Sequence, residues 1–254
     1  MKLVFLYAGQ GSQKCGMGGD FYAEYPQIRP IFETPAMDLD LRALCFDAPI
    51  QTLSETRHTQ PCMAAFAAAV TRLLSEAGIR PDCAAGLSLG EYGALHAAGV
   101  FDVKTLVGLL AFRGKVMAET TKGMDSAMTA VFGLDEAAIN TAIASAGGGA
   151  YCCNFNCPGQ IVIGGGRSAV EAAAKACMAL GAKRCVPLNV SGPFHTPFME
   201  QASLLLKQKL QSVPFAPMSC PVFSNVTGEV IPEGADIQQL WSGRSKCRCG
   251  LSGF

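Results

Sequence analysis

The chain has 254 residues, half of them hydrophobic, and its 20 basic residues balance 20 acidic ones. That length suits one large domain or one domain carrying an insert, with apolar surface enough for a sizeable core. A formal net charge of zero leaves no electrostatic footprint for nucleic acid or an anionic membrane.

The N-terminal MKLVFLYAGQG has too short an apolar stretch for a signal peptide and no cleavage pattern. It predicts a buried strand over 3–8 that leads into the glycine loop GQGSQ. No apolar run is long enough to span a bilayer. Twelve cysteines without an export signal predict free thiols and a cytoplasmic location. Cys152, Cys153 and Cys157 lack a C-x-x-C pair or a histidine partner, so no metal site is expected.

Further along, TQPCMAAFAAAVTRLLSEAG predicts a helix over 59–78 that ends at Gly78. A short strand near 82–86, a helix over 89–98 and another over 102–120 follow. Strands alternating with helices predict an α/β fold with a parallel sheet. From about 124 the pattern changes. A strand at 128–133, a helix at 135–147 started by Asp135, strands at 150–157 and 160–165 around Pro158-Gly159, a helix at 168–181 capped by Ser168 and closed by Gly181, and a strand at 182–190 give β-α-β-β-α-β. That order predicts a ferredoxin-like subdomain inserted in a larger α/β subdomain. The expected division is 1–123 with 191–240 for the large, α/β-hydrolase-like subdomain, 124–190 for the small one, and 241–254 as an aberrant tail. A helix at 197–211 and a strand at 221–228 return the chain to the large subdomain.

Gly86-x-Ser88-x-Gly90, between a strand and a helix, is the nucleophile-elbow pattern. A sharp turn exposes the hydroxyl, and the helix start supplies N–H groups to a developing oxyanion. The alternative is a loop serine capping a helix. A serine nucleophile needs a base. Of the three histidines, His96 lies about 12 Å along the helix from Ser88 and reads as a packing residue. His58 sits in the polar ETRHTQ and reads as solvated. His195 in SGPFHT remains as the base, or else as a buried structural histidine. Arg113 falls inside the apolar stripe of Leu106, Leu109, Leu110 and Met117. A buried guanidinium there needs an anionic partner, either a distant acid or a substrate carboxylate gripped in two places.

Together, GQGSQ (9–13), TQP (59–61), GLSLGEY (86–92), FRGKVM (112–117), NFNCPGQIVIGG (154–165) and GPFHTPFM (192–199) resemble the malonyl-CoA:acyl carrier protein transacylases, acyltransferases of fatty-acid and polyketide synthesis. The resemblance runs from residue 1 to about 240. It implies ping-pong transfer of malonyl from coenzyme A to Ser88 and on to the phosphopantetheine thiol of acyl carrier protein. His195 would be base and then acid, and the backbone N–H groups of Gln10 and Leu89 would form the oxyanion hole. Arg113 would hold the malonyl carboxylate, Gln60 would line the pocket, and Phe194 would exclude branched acyl groups. Asn154 and Asn156 would organise the small subdomain's hairpin. Leu87 stands where the family usually has histidine and would tune the pocket. The partners implied are malonyl-CoA and acyl carrier protein, with no cofactor of the enzyme's own, no nucleic acid and no membrane. A monomer is expected, and a stand-alone chain favours fatty-acid synthesis.

After DIQQL the tail WSGRSKCRCGLSGF departs from the family, which carries there a glutamine whose carbonyl orients the histidine. Back-translated with permitted codons and shifted by two bases, the tail reads VRQVQMSVRFIGF, so a frameshift near Leu240 is expected. Without the orienter, the rate would fall by about four orders of magnitude. An inactive relative that only binds carrier protein, and a serine esterase with no need of Arg113, are the competing expectations.

Overall fold

A computed structural model describes residues 2–237, 240 and 249–250 of the chain; the tail expectations lie outside the described residues, apart from the backbone at 249–250. The chain divides into two compact units. One comprises Met1–Met117, Lys209–Ser224 and Glu229–Ile237; the other comprises Ala118–Gln208, Asn225–Gly228 and Gln238–Phe254.

In the first unit, β1 (Val4–Tyr7) and β2 (Cys83–Gly86) pair in parallel, with Tyr7 opposite Gly86. Val222 adds a single parallel bridge to Ala84. The strand expected at 221–228 is therefore reduced to bridges, because Phe223 turns to pair with Val230 and the Ser224 N–H bonds to the Glu229 carbonyl. Four short helices, α1 (Gly19–Glu24), α2 (Arg29–Phe32), α3 (Leu41–Phe46) and α4 (Ile50–Leu53), precede the long α5 (Thr56–Glu76). The α5 face is rich in small residues: Ala64, Ala65, Ala68 and Ala69 are all buried. Small side chains let neighbouring elements approach closely. α6 (Gly90–Ala97) follows β2 and packs on both strands and α5. α7 (Val103–Thr121) buries Leu106, Val107, Leu109 and Leu110, which confirms the predicted stripe.

α5 and α7 meet closely near the start of α5. A Cβ on Gly114 would stand 2.8 Å from the Thr56 carbonyl oxygen and 3.3 Å from that of Arg57. Pro61, inside α5, has no N–H to give the Arg57 carbonyl.

The second unit carries β3 (Ser126–Phe132), α8 (Glu136–Ser145), β4 (Ala150–Cys157), β5 (Gln160–Gly166), α9 (Arg167–Ala179) and β6 (Arg184–Pro187). The sheet order is β6-β3-β5-β4 with antiparallel neighbours, and β7 (Cys249–Gly250) lies parallel to β4. This is the predicted ferredoxin-like arrangement. Its core is Val131, Ile139, Ile161, Ile163, Val170 and the alanines between them. Asp135 caps α8 by accepting from the Ala138 N–H. Ser168 does not cap α9: the helix starts one residue earlier, with Gly166 at the cap and the Arg167 N–H bonded to the Asp125 carbonyl.

The unit also holds more chain than the expected 124–190, since it begins at Ala118 and keeps 191–208. Packing explains the difference. A Cβ on Gly192 would fall 2.4 Å from the Thr121 side chain, and one on Gly164 of β5 would fall 3.2 Å from Thr196. The helix expected at 197–211 is a 3-10 turn at Pro197–Met199 followed by α10 (Glu200–Leu210). Among the described residues no helix is long and apolar enough to cross a membrane.

Candidate active site

β2 ends at Gly86, α6 begins at Gly90, and Ser88 sits on the turn between them with φ 55°. A left-handed serine costs about 1–2 kcal/mol, so the surrounding backbone must impose it. The two glycines show how. A Cβ on Gly86 would lie 2.1 Å from the carbonyl of Gly90, and one on Gly90 would lie 2.2 Å from the Tyr7 carbonyl oxygen. Strand, turn and helix are thus pressed together, and the turn is tied to β1 by the Leu87 N–H on the Tyr7 carbonyl at 3.1 Å. Ser88 and Leu87 are half-buried.

The glycine loop lies against this elbow. A Cβ on Gly9 would stand 2.9 Å from the Leu87 carbonyl oxygen. The loop is fastened at two points: the Gln10 Nε2 donates to Thr56 Oγ1 at 3.0 Å and the Gln13 Nε2 to Ser54 Oγ at 3.0 Å. Among the described residues, neither the Gln10 nor the Leu89 backbone N–H donates to a protein acceptor.

Arg113 is 5% exposed. Its Nη1 donates to Gln60 Oε1 at 2.8 Å and its Nη2 to Ser88 Oγ at 3.1 Å. The guanidinium lies 5.7 Å from the centre of the fully buried Tyr92 ring. Gln60 is fully buried, and its Nε2 donates to Met117 Sδ at 3.3 Å, which leaves its oxygen for Arg113. Ser88, Leu87, Leu89, Gln10, Gln60 and Arg113 all belong to the first unit, where the geometry brings the Ser88 hydroxyl and the Gln60 amide onto one planar cation.

Phe194 and His195 belong to the second unit. Phe194 is buried, and its N–H bonds to the Gly192 carbonyl. His195 is half-buried, with φ 59°. The left-handed conformation is uncommon outside glycine and marks a backbone held in place by its surroundings. On β4 of the same unit, Asn154 sits at a break in register between Cys152 and Asn154, opposite Val162. The Asn156 Oδ1 is buried without a hydrogen-bond partner among the described residues.

The other histidines are accounted for locally. His58 is not solvated as its polar neighbours suggested. Its side chain is 14% exposed, and its Nδ1 lies 2.8 Å from the Thr52 carbonyl oxygen, which uses the ring to finish α4. His96 packs as expected, with Nδ1 2.8 Å from the Phe101 carbonyl oxygen. Burial pushes its pKa below 6.5, against the opposing pull of that hydrogen bond. The unfolded chain therefore binds this proton more readily than the folded one. The stability that depends on neutral His96 is fully present above pH 6.5 and is lost as pH falls from there through the lower folded value. Urea midpoints of the parent and of His96→Gln, compared across this window, should converge as pH falls; curves that stay parallel would refute the assignment.

Thr56, Ser54, Tyr92 and Met117 are site residues that sequence reasoning missed. Their one sequence signal was position: Thr56 lies one helical turn before Gln60 and Met117 one after Arg113. Among the described residues no cluster of three or more histidine, cysteine or acidic side chains could hold a metal ion.

Comparison with known proteins gives the family. Residues 4–236 match the acyl transferase domain family. The chain is 38% identical over 243 residues to the malonyl CoA-acyl carrier protein transacylase of Bacillus subtilis, covering 94% of this chain and 77% of that protein. It is 41% identical over 252 residues to the namesake of Escherichia coli K12, covering 95% of this chain and 81% of that protein. A solved malonyl-transacylase in complex with a type II polyketide acyl-carrier protein superposes with a TM-score of 0.91 at 35% identity, covering 98% of this chain and 82% of that one. The MCAT of Streptococcus pneumoniae gives 0.89 at 40%, with the same coverage. The chain spans about four-fifths of the length of these relatives, and it is a member of the acyl transferase domain family.

Proposed function

We propose that this acyltransferase moves malonyl from malonyl-CoA to the phosphopantetheine thiol of acyl carrier protein through a malonyl-Ser88 ester. The observation that carries this reading is the buried Arg113 donating to Ser88 Oγ. A cation held beside the nucleophile has use for an acyl group that ends in a carboxylate, and its fork can grip both carboxylate oxygens.

Ser88 Oγ attacks the thioester carbonyl, and His195 takes the hydroxyl proton. Charge gathers on the carbonyl oxygen, where the Gln10 and Leu89 N–H groups receive it. The tetrahedral intermediate expels coenzyme A, whose sulfur takes the proton from His195. The carrier thiol then gives its proton to His195, attacks the seryl ester and leaves with malonyl as Ser88 recovers its proton. Gln60 orients Arg113, Phe194 limits branching at the acyl carbon, and Leu87 shapes the pocket. No cofactor is required, because phosphopantetheine arrives on the partner. The names of the relatives support malonyl-CoA and carrier protein as the two substrates. The same reading makes the protein a cytoplasmic monomer.

Intact mass after brief incubation with malonyl-CoA tests the first half-reaction. The parent should gain one malonyl group, and Ser88→Ala should gain none. A parent that folds and stays unmodified, or a variant that is modified equally, would overturn the reading.

A further inference from the structure

We propose that Thr56 is a positioning residue for the oxyanion hole, acting through the side chain of Gln10. The inference rests on the reading above, in which the Gln10 N–H receives the carbonyl oxygen.

That N–H belongs to a loop with two glycines in five residues, and Gly11 has φ 107°. Such a loop has many accessible conformations. An oxyanion donor is effective only if it is already in place when charge develops. Something must hold it, and the structure shows what does. Gln10 Nε2 donates to Thr56 Oγ1 at 3.0 Å, across 46 residues of sequence. Thr56 is 2% exposed and opens α5. It is therefore an anchor on a rigid element, and the bond is partly buried. A second tie, Gln13 to Ser54 at 3.0 Å, fastens the far end of the loop to the turn before α5, and Gln13 Oε1 also accepts the Gly11 N–H at 2.8 Å.

Thr56 and Gln60 lie four residues apart on α5, on one helix face. Gln60 accepts from Arg113. One short stretch of helix thus braces both the group for the acyl carbonyl and the group for the acyl carboxylate. The two roles are separable by choice of substrate. A loss that acts through Gln10 touches the carbonyl, which every acyl-CoA has. A loss that acts through Gln60 and Arg113 touches the carboxylate, which malonyl has and acetyl lacks.

The experiment measures single-turnover acylation with malonyl-CoA and with acetyl-CoA for the parent, Thr56→Val, Thr56→Ser, Gln10→Ala and the double variant Thr56→Val with Gln10→Ala. Valine keeps the shape and removes the acceptor. The expected result is a loss of about tenfold in the acylation rate constant of Thr56→Val, equal for both thioesters, with unchanged half-saturation. Thr56→Ser should restore the rate. Gln10→Ala should match Thr56→Val, and the double variant should be no worse than either single one, because both remove the same bond. Additive losses, a loss confined to malonyl, or a Thr56→Val rate equal to the parent's would overturn the proposal. If Thr56→Val does not fold, Gln10→Ala alone decides it, with the same equal-loss criterion. A parent that acquires no acyl group at Ser88 would refute the underlying function instead.

Discussion

Arg113→Ala is expected to reduce malonyl loading of Ser88 by about 10²-fold in kcat/KM while leaving acetyl loading equal to or above that of the parent. The size follows from the ion pair that alanine cannot make. Truncating one partner of a buried, hydrogen-bonded charge pair costs about 2–5 kcal/mol, and each 1.36 kcal/mol is a factor of ten. The direction for acetyl follows from burial. With Arg113 only 5% exposed, an acyl group without a carboxylate leaves the guanidinium no new anion, so removing it takes nothing from that complex. Arg113→Lys should fall between the two. It keeps the charge but lacks the planar fork that reaches Gln60 and Ser88 together. A loss for acetyl as large as that for malonyl would mean that Arg113 serves Ser88 itself, through the 3.1 Å bond to its Oγ, and that the carboxylate reading is wrong. Thermal unfolding is measured alongside, because the variant leaves the buried Gln60 oxygen without this donor, at a cost of about 1–3 kcal/mol.

The parts of this site that were legible in the sequence were those written in short-range patterns. The elbow shows in three residues of spacing, and its position between strand and helix follows from local propensity. Arg113 could be singled out because a cation interrupted an apolar stripe, which a 3.6-residue period makes visible. The ferredoxin-like unit was legible because its elements are long and closed by strong signals, such as Asp135 at a helix start and Pro158-Gly159 between two strands.

What escaped has a common physical origin in interactions between distant residues. The acceptor of Gln10 is a threonine 46 residues away, and nothing in SETRHTQ distinguishes its hydroxyl from the Thr59 hydroxyl, which bonds to the Leu53 carbonyl instead. His58 reads as solvated from its neighbours, yet a carbonyl at the end of a four-residue helix draws it in. The helices α1 to α4, of four to six residues, are too short to show a period. PVFSNVTG has strand propensity, but a single bridge on each side is all that its bend at Ser224 allows.

Gly90→Ala is expected to destabilise the protein strongly, by at least about 3 kcal/mol, seen as a fall in Tm or as insoluble protein. The added methyl would sit 2.2 Å from the Tyr7 carbonyl oxygen and 2.9 Å from that of Ala8. Both are backbone atoms, and Tyr7 is fixed in register with Gly86, so neither can rotate away as a side-chain tip would. Relief requires moving β1 away from α6. Overpacking a well-formed core typically costs about 1–3 kcal/mol, and here the clash is with main chain on both sides of the turn that holds Ser88. Gly86→Ala should behave alike, since its methyl would meet the Gly90 carbonyl at 2.1 Å and the Glu91 nitrogen at 2.5 Å. Gly108 supplies the internal contrast. It lies inside α7 with nothing within 4 Å of a built Cβ, so alanine there removes unfolded-state freedom without a clash and should stabilise by about 0.5–1 kcal/mol. Tm values that fall for Gly90→Ala and Gly86→Ala and rise for Gly108→Ala would establish that the two elbow glycines are required by close approach rather than by helix propensity. If Gly90→Ala instead retains the parent's Tm, β1 and α6 do not meet through this residue, and the backbone constraint that holds Ser88 left-handed must come from elsewhere.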